Sequence, residues 1–184
     1  MYAGVVVACR VLLAVLFGLA FIGKISSRAA LRGFTDSLTA LPWLPQRRHP
    51  VLAAAITATE GASALLLLLT GTALTGFVLA VALLAAFTIV PAVSLRRGVE
   101  LTCRCFGVRE ARIGPSHVLR NGVALCAAVA GLAASQASGA AAAWSPVPIG
   151  IGVLAGIVFV GWDEIAYLLQ PPTHAQGHSW RMRP

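Results

Sequence analysis

An all-α bundle of about five membrane-spanning helices is the fold class predicted for this chain, and three observations predict it. Of its 184 residues 58% are hydrophobic and 11% charged, with a mean hydropathy of +0.85. A soluble domain carries roughly half apolar and a quarter charged residues. The apolar residues fall in runs long enough to cross a hydrocarbon core of about 30 Å. The basic residues fall between those runs. Of the 14 Lys and Arg, five lie from Lys24 to Arg48, six from Arg96 to Arg120 and two in the tail; only Arg10 is elsewhere.

The net charge of +8 is confined to connections, which is a signature of membrane topology rather than of a nucleic-acid surface. Nucleic-acid binding is therefore excluded as a function class. With an odd number of spans the three basic regions share one side. The positive-inside rule makes that side cytoplasmic and puts the N-terminus outside.

Residues 3–23 form the first span. No Lys or Arg precedes this run and further spans follow, so it is expected to stay in the protein rather than act as a cleaved signal peptide. Arg10 within it must snorkel or find a partner. From Ser26 to Leu41, with Leu31, Phe34, Leu38 and Leu41 at helical spacing, the chain predicts an amphipathic helix lying on the membrane surface, with Ser27 as its cap. Pro42 and Pro45 end it, and Trp43 is an interfacial anchor. Residues 51–71 form the second span, with Glu60 near its middle, a functional-site candidate because a carboxylate there is costly. Equal depth of Glu60 and Arg10 suggests an ion pair between them.

A tight turn from Gly71 to Gly76 leads to the third span, about 74–95, with Pro91 near its end. A basic loop follows. Gly114-Pro115-Ser116 then turns the chain into a fourth span, about 118–134, with Ser116 a candidate cap. Arg120 and Asn121 open that span, and Asn121 can hydrogen-bond the loop or another helix. Cys9 and Cys126 lie in apolar runs, where a free thiol packs as a small hydrophobe. A fifth span, about 148–169, carries Gly152 and Gly156 at the spacing of close helix contact. The expected organisation is a membrane domain over 1–134, a linker and fifth helix over 135–169, and a disordered tail over 170–184.

The one stretch that carries compact chemistry is Cys103-Arg104-Cys105-Phe106-Gly107, in the basic loop. Such a pair can cycle between dithiol and disulfide, bind a metal, or sit inert. Arg104 between the thiols, with Arg96, Arg97, Arg109 and Arg112 around them, favours a thiolate. A disulfide across one intervening residue would be strained, hence labile and oxidising. A metal needs more ligands than His117 nearby supplies, so no metal site is assigned. No nucleotide-binding loop and no Ser/His/Asp set is present.

These pieces together resemble the MauE family of methylamine-utilisation membrane proteins, within the wider DoxX-like group. The residues that carry the resemblance are Gly23-Lys24, Leu41-Pro42, Glu60, Cys103-Arg104-Cys105-Phe106-Gly107 and Arg120-Asn121, over roughly residues 5–134. The resemblance implies a helical membrane bundle tied to thiol redox. It would assist maturation of a disulfide-rich dehydrogenase alongside a thioredoxin-like partner. On that basis Cys103 and Cys105 are the redox pair, and Glu60, Arg104, Arg120, Asn121, Lys24 and Arg10 are supporting residues. Fold likeness does not specify the substrate.

Three functions compete on these residues: a membrane thiol–disulfide protein, a non-enzymatic assembly factor, and a small-molecule or quinone-binding bundle with Glu60 and Arg10 lining a pocket. No cofactor is identified by a motif, and a quinone is compatible with the first and third. The expected partners are the lipid bilayer and a thioredoxin-like protein or thiol substrate. The family's dehydrogenase is matured outside the cytoplasm, whereas the charge distribution places the cysteine loop inside.

Overall fold

The computed structural model describes residues 2–40, 45–69, 71–97, 102–103, 111–112, 115–138 and 144–161. Its helices are α1 (Tyr2–Ile25), α2 (Arg28–Ser37), α3 (His49–Leu68), α4 (Ala73–Arg96), α5 (Pro115–Ser138) and α6 (Pro146–Val160). Short 3-10 turns at Leu38–Ala40 and Gln46–Arg48 bridge α2 to α3. Four helices, α1, α3, α4 and α5, are long and apolar enough to cross a membrane. The chain is a polytopic helical membrane bundle. Large apolar side chains face outward on every long helix, among them Leu65, Val78, Ile89, Val123 and Val129. A lipid surround accepts such a surface and water does not.

Helix α1 is the hub. It packs against α3, α5 and α6, while α4 closes the ring between α3 and α5. Small residues let the backbones approach. On α3 the inward stripe is Ala53, Thr57, Glu60, Ala64 and Leu67, at alternating steps of four and three. On α5 it includes Ala124, Ala128, Gly131 and Ala134, and Phe77 of α4 and Cys9 of α1 occupy the space that a side chain at Gly131 would need. Helix α6 meets α1 through Gly152 and Gly156. A methyl at Gly152 would lie 2.6 Å from the Ala8 carbonyl oxygen, and one at Gly156 2.9 Å from Val15 Cβ. The glycine spacing thus marks a close helix contact, as expected. The described part of α6 ends short of the expected fifth span, and residues 162–169 lie outside the described residues. So do Leu41, Pro42, Trp43 and the tail.

Helix α2 forms where the amphipathic helix is expected, and Ser27 Oγ accepts from the Ala30 backbone N–H at 3.0 Å. Phe34 is buried, but Leu31 is exposed rather than part of the packed face. The turn between α3 and α4 needs Gly71, whose φ of 92° lies in the left-handed region. Two further expectations are corrected. The basic loop contains a two-residue antiparallel ladder, Thr102–Cys103 (β1) with Ala111–Arg112 (β2), pairing Thr102 with Arg112 and Cys103 with Ala111. Helix α5 begins at Pro115, so Ser116 lies inside its first turn instead of capping it. Proline suits that first position because its missing N–H is not needed there.

Pro91 explains one interhelical bond. It cannot donate to the Phe87 carbonyl four residues back. Asn121 Nδ2 on α5 donates to that carbonyl instead, at 2.8 Å. Asn121 therefore bonds another helix, one of the two partners expected for it. Asn121→Leu is expected to cost about 1 kcal/mol in a wild-type background. The cost should fall towards zero in a Pro91→Ala background, where the helix supplies its own donor. A double-mutant cycle on denaturation in detergent reads the difference, and equal costs in both backgrounds would refute the repair.

Candidate functional site

The end of the bundle where α1 and α4 finish carries the basic connections. Arg28, Arg32, Arg47, Arg48, Arg96 and Arg97 are exposed there, with Asp36. Helix α2 folds back at this end against α1 and α3, and β1, which holds Cys103, lies against α2. Cys103 is thereby tied to the bundle through the ladder and α2. Arg104, Cys105, Phe106 and Gly107 lie outside the described residues. Cys9 and Cys126 are free thiols on α1 and α5. Cys9 packs at the edge of the core, whereas Cys126 is exposed on the bundle's outer surface instead of packed inside.

Beneath α2 sits a buried ion pair. Lys24 Nζ, in the last turn of α1, donates to both carboxylate oxygens of Glu60 at 2.8 Å. Their side chains are 3% and 1% exposed. The Phe34 ring of α2 covers the ammonium, with its centroid 4.7 Å from Nζ. Burial in a membrane interior makes each charge costly alone, so each needs the other.

The expected Arg10–Glu60 pair does not form. Arg10 Nε donates to the Leu67 carbonyl at 2.6 Å, and its Nη2 reaches the carbonyls of Leu68 and Leu69 at 3.4 and 2.9 Å. Its guanidinium also stacks over Trp144, 4.6 Å from the ring centroid. The two residues are not level: a methyl at Gly61, next to Glu60, would lie 3.0 Å from the ring of Phe21, far along α1 from Arg10. Side chains on a helix lean towards its N-terminus. On antiparallel helices the two side chains also lean apart. Arg10 leans towards the end of α3, and Glu60 leans towards Lys24. At the end of α3 the guanidinium meets carbonyls that have no intrahelical donor and the negative end of the helix dipole.

Arg120 is buried in the second turn of α5, one residue before Asn121. Of the supporting residues, the structure brings Lys24 together with Glu60, and Asn121 with α4. It places Arg10 at the opposite end from the cysteine segment. Sequence reasoning missed the lid role of Phe34, the Trp144 contact of Arg10, and a buried His49 at the start of α3. Only the Asn121 contact had a readable signal, the carbonyl four residues before Pro91.

A bundle of four long apolar helices, with a cysteine-bearing segment seated over a polar interior at its basic end, defines a class of small polytopic membrane proteins. The sequence profile of the methylamine utilisation protein MauE matches residues 3–134. The chain belongs to the MauE family. Comparison with curated proteins and with solved structures returned no match.

Proposed function

We propose that this chain is a membrane thiol–disulfide exchange protein, in which Cys103 and Cys105 form the reacting pair and a thioredoxin-like protein or a thiol substrate is the partner. The family's name associates the process with methylamine utilisation, and maturation of a disulfide-containing partner is the role that fits a redox pair without a large soluble domain. The basic end, and the pair with it, faces the cytoplasm on the distribution of Lys and Arg. The observation that most supports this function is the seating of β1 on α2, over the buried Lys24–Glu60 pair. Cys103 belongs to β1 on the basic side of the bundle, and nearby cations favour thiolates. Exchange would proceed through a mixed disulfide.

The test is trapping. In a background lacking Cys9 and Cys126, Cys103→Ser and Cys105→Ser are each expected to abolish turnover. The variant that loses the resolving thiol should accumulate a mixed disulfide with the partner, visible on a non-reducing gel. If neither variant alters the thiol state of any partner, and the double variant still supports maturation, the chain is an assembly factor and the redox function is wrong.

A further inference from the structure

We propose that the basic end of the bundle is a binding surface for anionic phospholipid headgroups, centred on the outer face of α2. This role is independent of the exchange reaction proposed above. The sequence has one lysine, Lys24, and it is buried; every exposed basic side chain among the described residues is an arginine. Arg28 and Arg32 lie on α2, Arg47 and Arg48 in the turn before α3, and Arg96 and Arg97 at the end of α4. The salt bridge at this end joins Lys24 to Glu60. Arg28, Arg32, Arg47, Arg48 and Arg96 have no carboxylate partner among the described residues. These guanidinium groups are open to an outside anion.

Their height along the bundle identifies that anion. Exposed apolar side chains run up to the arginines at three places. Ile25 ends α1 three residues before Arg28, Val51 follows Arg48 by three, and Leu95 adjoins Arg96. Side chains of this kind face lipid on a membrane bundle. Three residues span at most about 11 Å, and the headgroup layer outside the hydrocarbon is roughly 5–7 Å deep on each side. Arginine also lays its stem along apolar surface and carries its charge out to the interface. The exposed arginines therefore sit at the height of the lipid phosphates.

Helix α2 has the two faces that such a position needs. Phe34 is buried, and Ala30, Gly33 and Ser37 are half-buried beside it. Arg28, Arg32 and Asp36 form an exposed row at steps of four. Leu31 is exposed at the flank of that row, and an apolar side chain next to basic ones is the pattern of a helix lying in the interface. Arg28 and Arg32 are one turn apart, with about 5–6 Å between Cβ atoms at that spacing, so one phosphate can take both. The guanidinium fork suits phosphate oxygens and is less strongly hydrated than an ammonium.

Lipid, unlike an acidic protein, supplies both partners at once: phosphate for the arginines, and hydrocarbon for Ile25, Leu31, Val51 and Leu95. The inner face of α2 meanwhile holds the Phe34 ring over the Lys24 ammonium. Headgroups on one face and the ion pair beneath the other hold α2 in place, so the cover of the buried pair is itself part of the lipid boundary.

The experiment measures binding of fluorescent phosphatidylglycerol and of its phosphatidylcholine analogue to the full chain in detergent. Phosphatidylglycerol is expected to bind more tightly. Arg28→Gln and Arg32→Gln should each weaken it about fivefold, the worth of one arginine at an anionic surface, and leave phosphatidylcholine unchanged. Raising the salt from about 0.1 to 1 M shortens the screening length from about 10 to 3 Å and should remove the preference. Equal binding of the two lipids would leave the arginines to an acidic protein surface and overturn the proposal. So would phosphatidylglycerol binding that neither substitution weakens, or its displacement by inorganic phosphate, which would mark a site for the free ion. The comparison of the two lipids on the unsubstituted chain decides the matter should a variant not fold.

Discussion

Glu60→Ala is expected to destabilise the bundle by about 3–5 kcal/mol, the usual result of leaving one partner of a buried ion pair unmatched. The stranded charge is the Lys24 ammonium, held between α1, α3 and the Phe34 ring, while the other described carboxylate, Asp36, is exposed on α2. Replacing both partners, as in Lys24→Met with Glu60→Leu, should recover most of the loss, because two apolar side chains of similar volume need no compensation. Denaturation in detergent, followed by helical circular dichroism, measures both. A Glu60→Ala protein within about 0.5 kcal/mol of wild type, no more than an ordinary surface substitution, would mean that the pair is not formed in the membrane. The double variant also separates two roles. If it folds and still exchanges thiols, the pair only locks helices together. If it folds and exchange is lost, its charges act on the cysteine segment through α2.

The second large effect concerns the seat of α6. Gly152→Leu and Gly156→Leu should each force α6 away from α1. The added atoms meet the Ala8 and Leu12 carbonyl oxygens and the Cβ atoms of Val11 and Val15, and backbone and branched carbons cannot swing aside. Overpacking of this kind costs about 1–3 kcal/mol per site, and together the two substitutions should detach the helix. Gly150→Leu on the same helix is the control, because nothing lies within 4 Å of a side chain there. Trp144, just before α6, reports the event: its stacking on Arg10 should be lost, changing the fluorescence of a variant that keeps only this tryptophan. Equal behaviour of Leu at 150, 152 and 156 would show that α6 does not pack on α1.

Much of the architecture was legible because bilayer thickness dictates it. Apolar runs of spanning length gave α1, α3, α4 and α5, the Ser27 cap gave the start of α2, and the glycine spacing gave the α1–α6 contact. What was not legible depended on how the helices pack against one another. Depth along a helix follows from counting residues, and it put Arg10 level with Glu60. The antiparallel packing of α1 on α3 instead sets Glu60 near Phe21 and Lys24, and Arg10 against the end of α3. The two-residue ladder at Cys103 escaped for a different reason: a strand of two residues has no period to detect. His49 stood unremarked because its burial comes from tertiary packing, which local pattern does not encode. At the site, the order of Cys103, Glu60 and Asn121 in the chain identified the family, and the contacts of each residue required the fold.

The partners of Arg10 also bear on how the protein is made. Its guanidinium is satisfied by carbonyls 57 to 59 residues further along the chain and by a ring at Trp144. At a synthesis rate of about 5–20 residues per second, the first of these emerge roughly 3–12 seconds after Arg10 itself. During that interval α1 is a helix with an uncompensated cation, which disfavours its partition into lipid by about 2.5–3.5 kcal/mol if the charge is near the middle. The stability of α1 in the bilayer is thus coupled to its packing on α3. Arg10 thereby makes α1 and α3 a unit in the bilayer, in which the cation of one helix is compensated by the free carbonyls of the other.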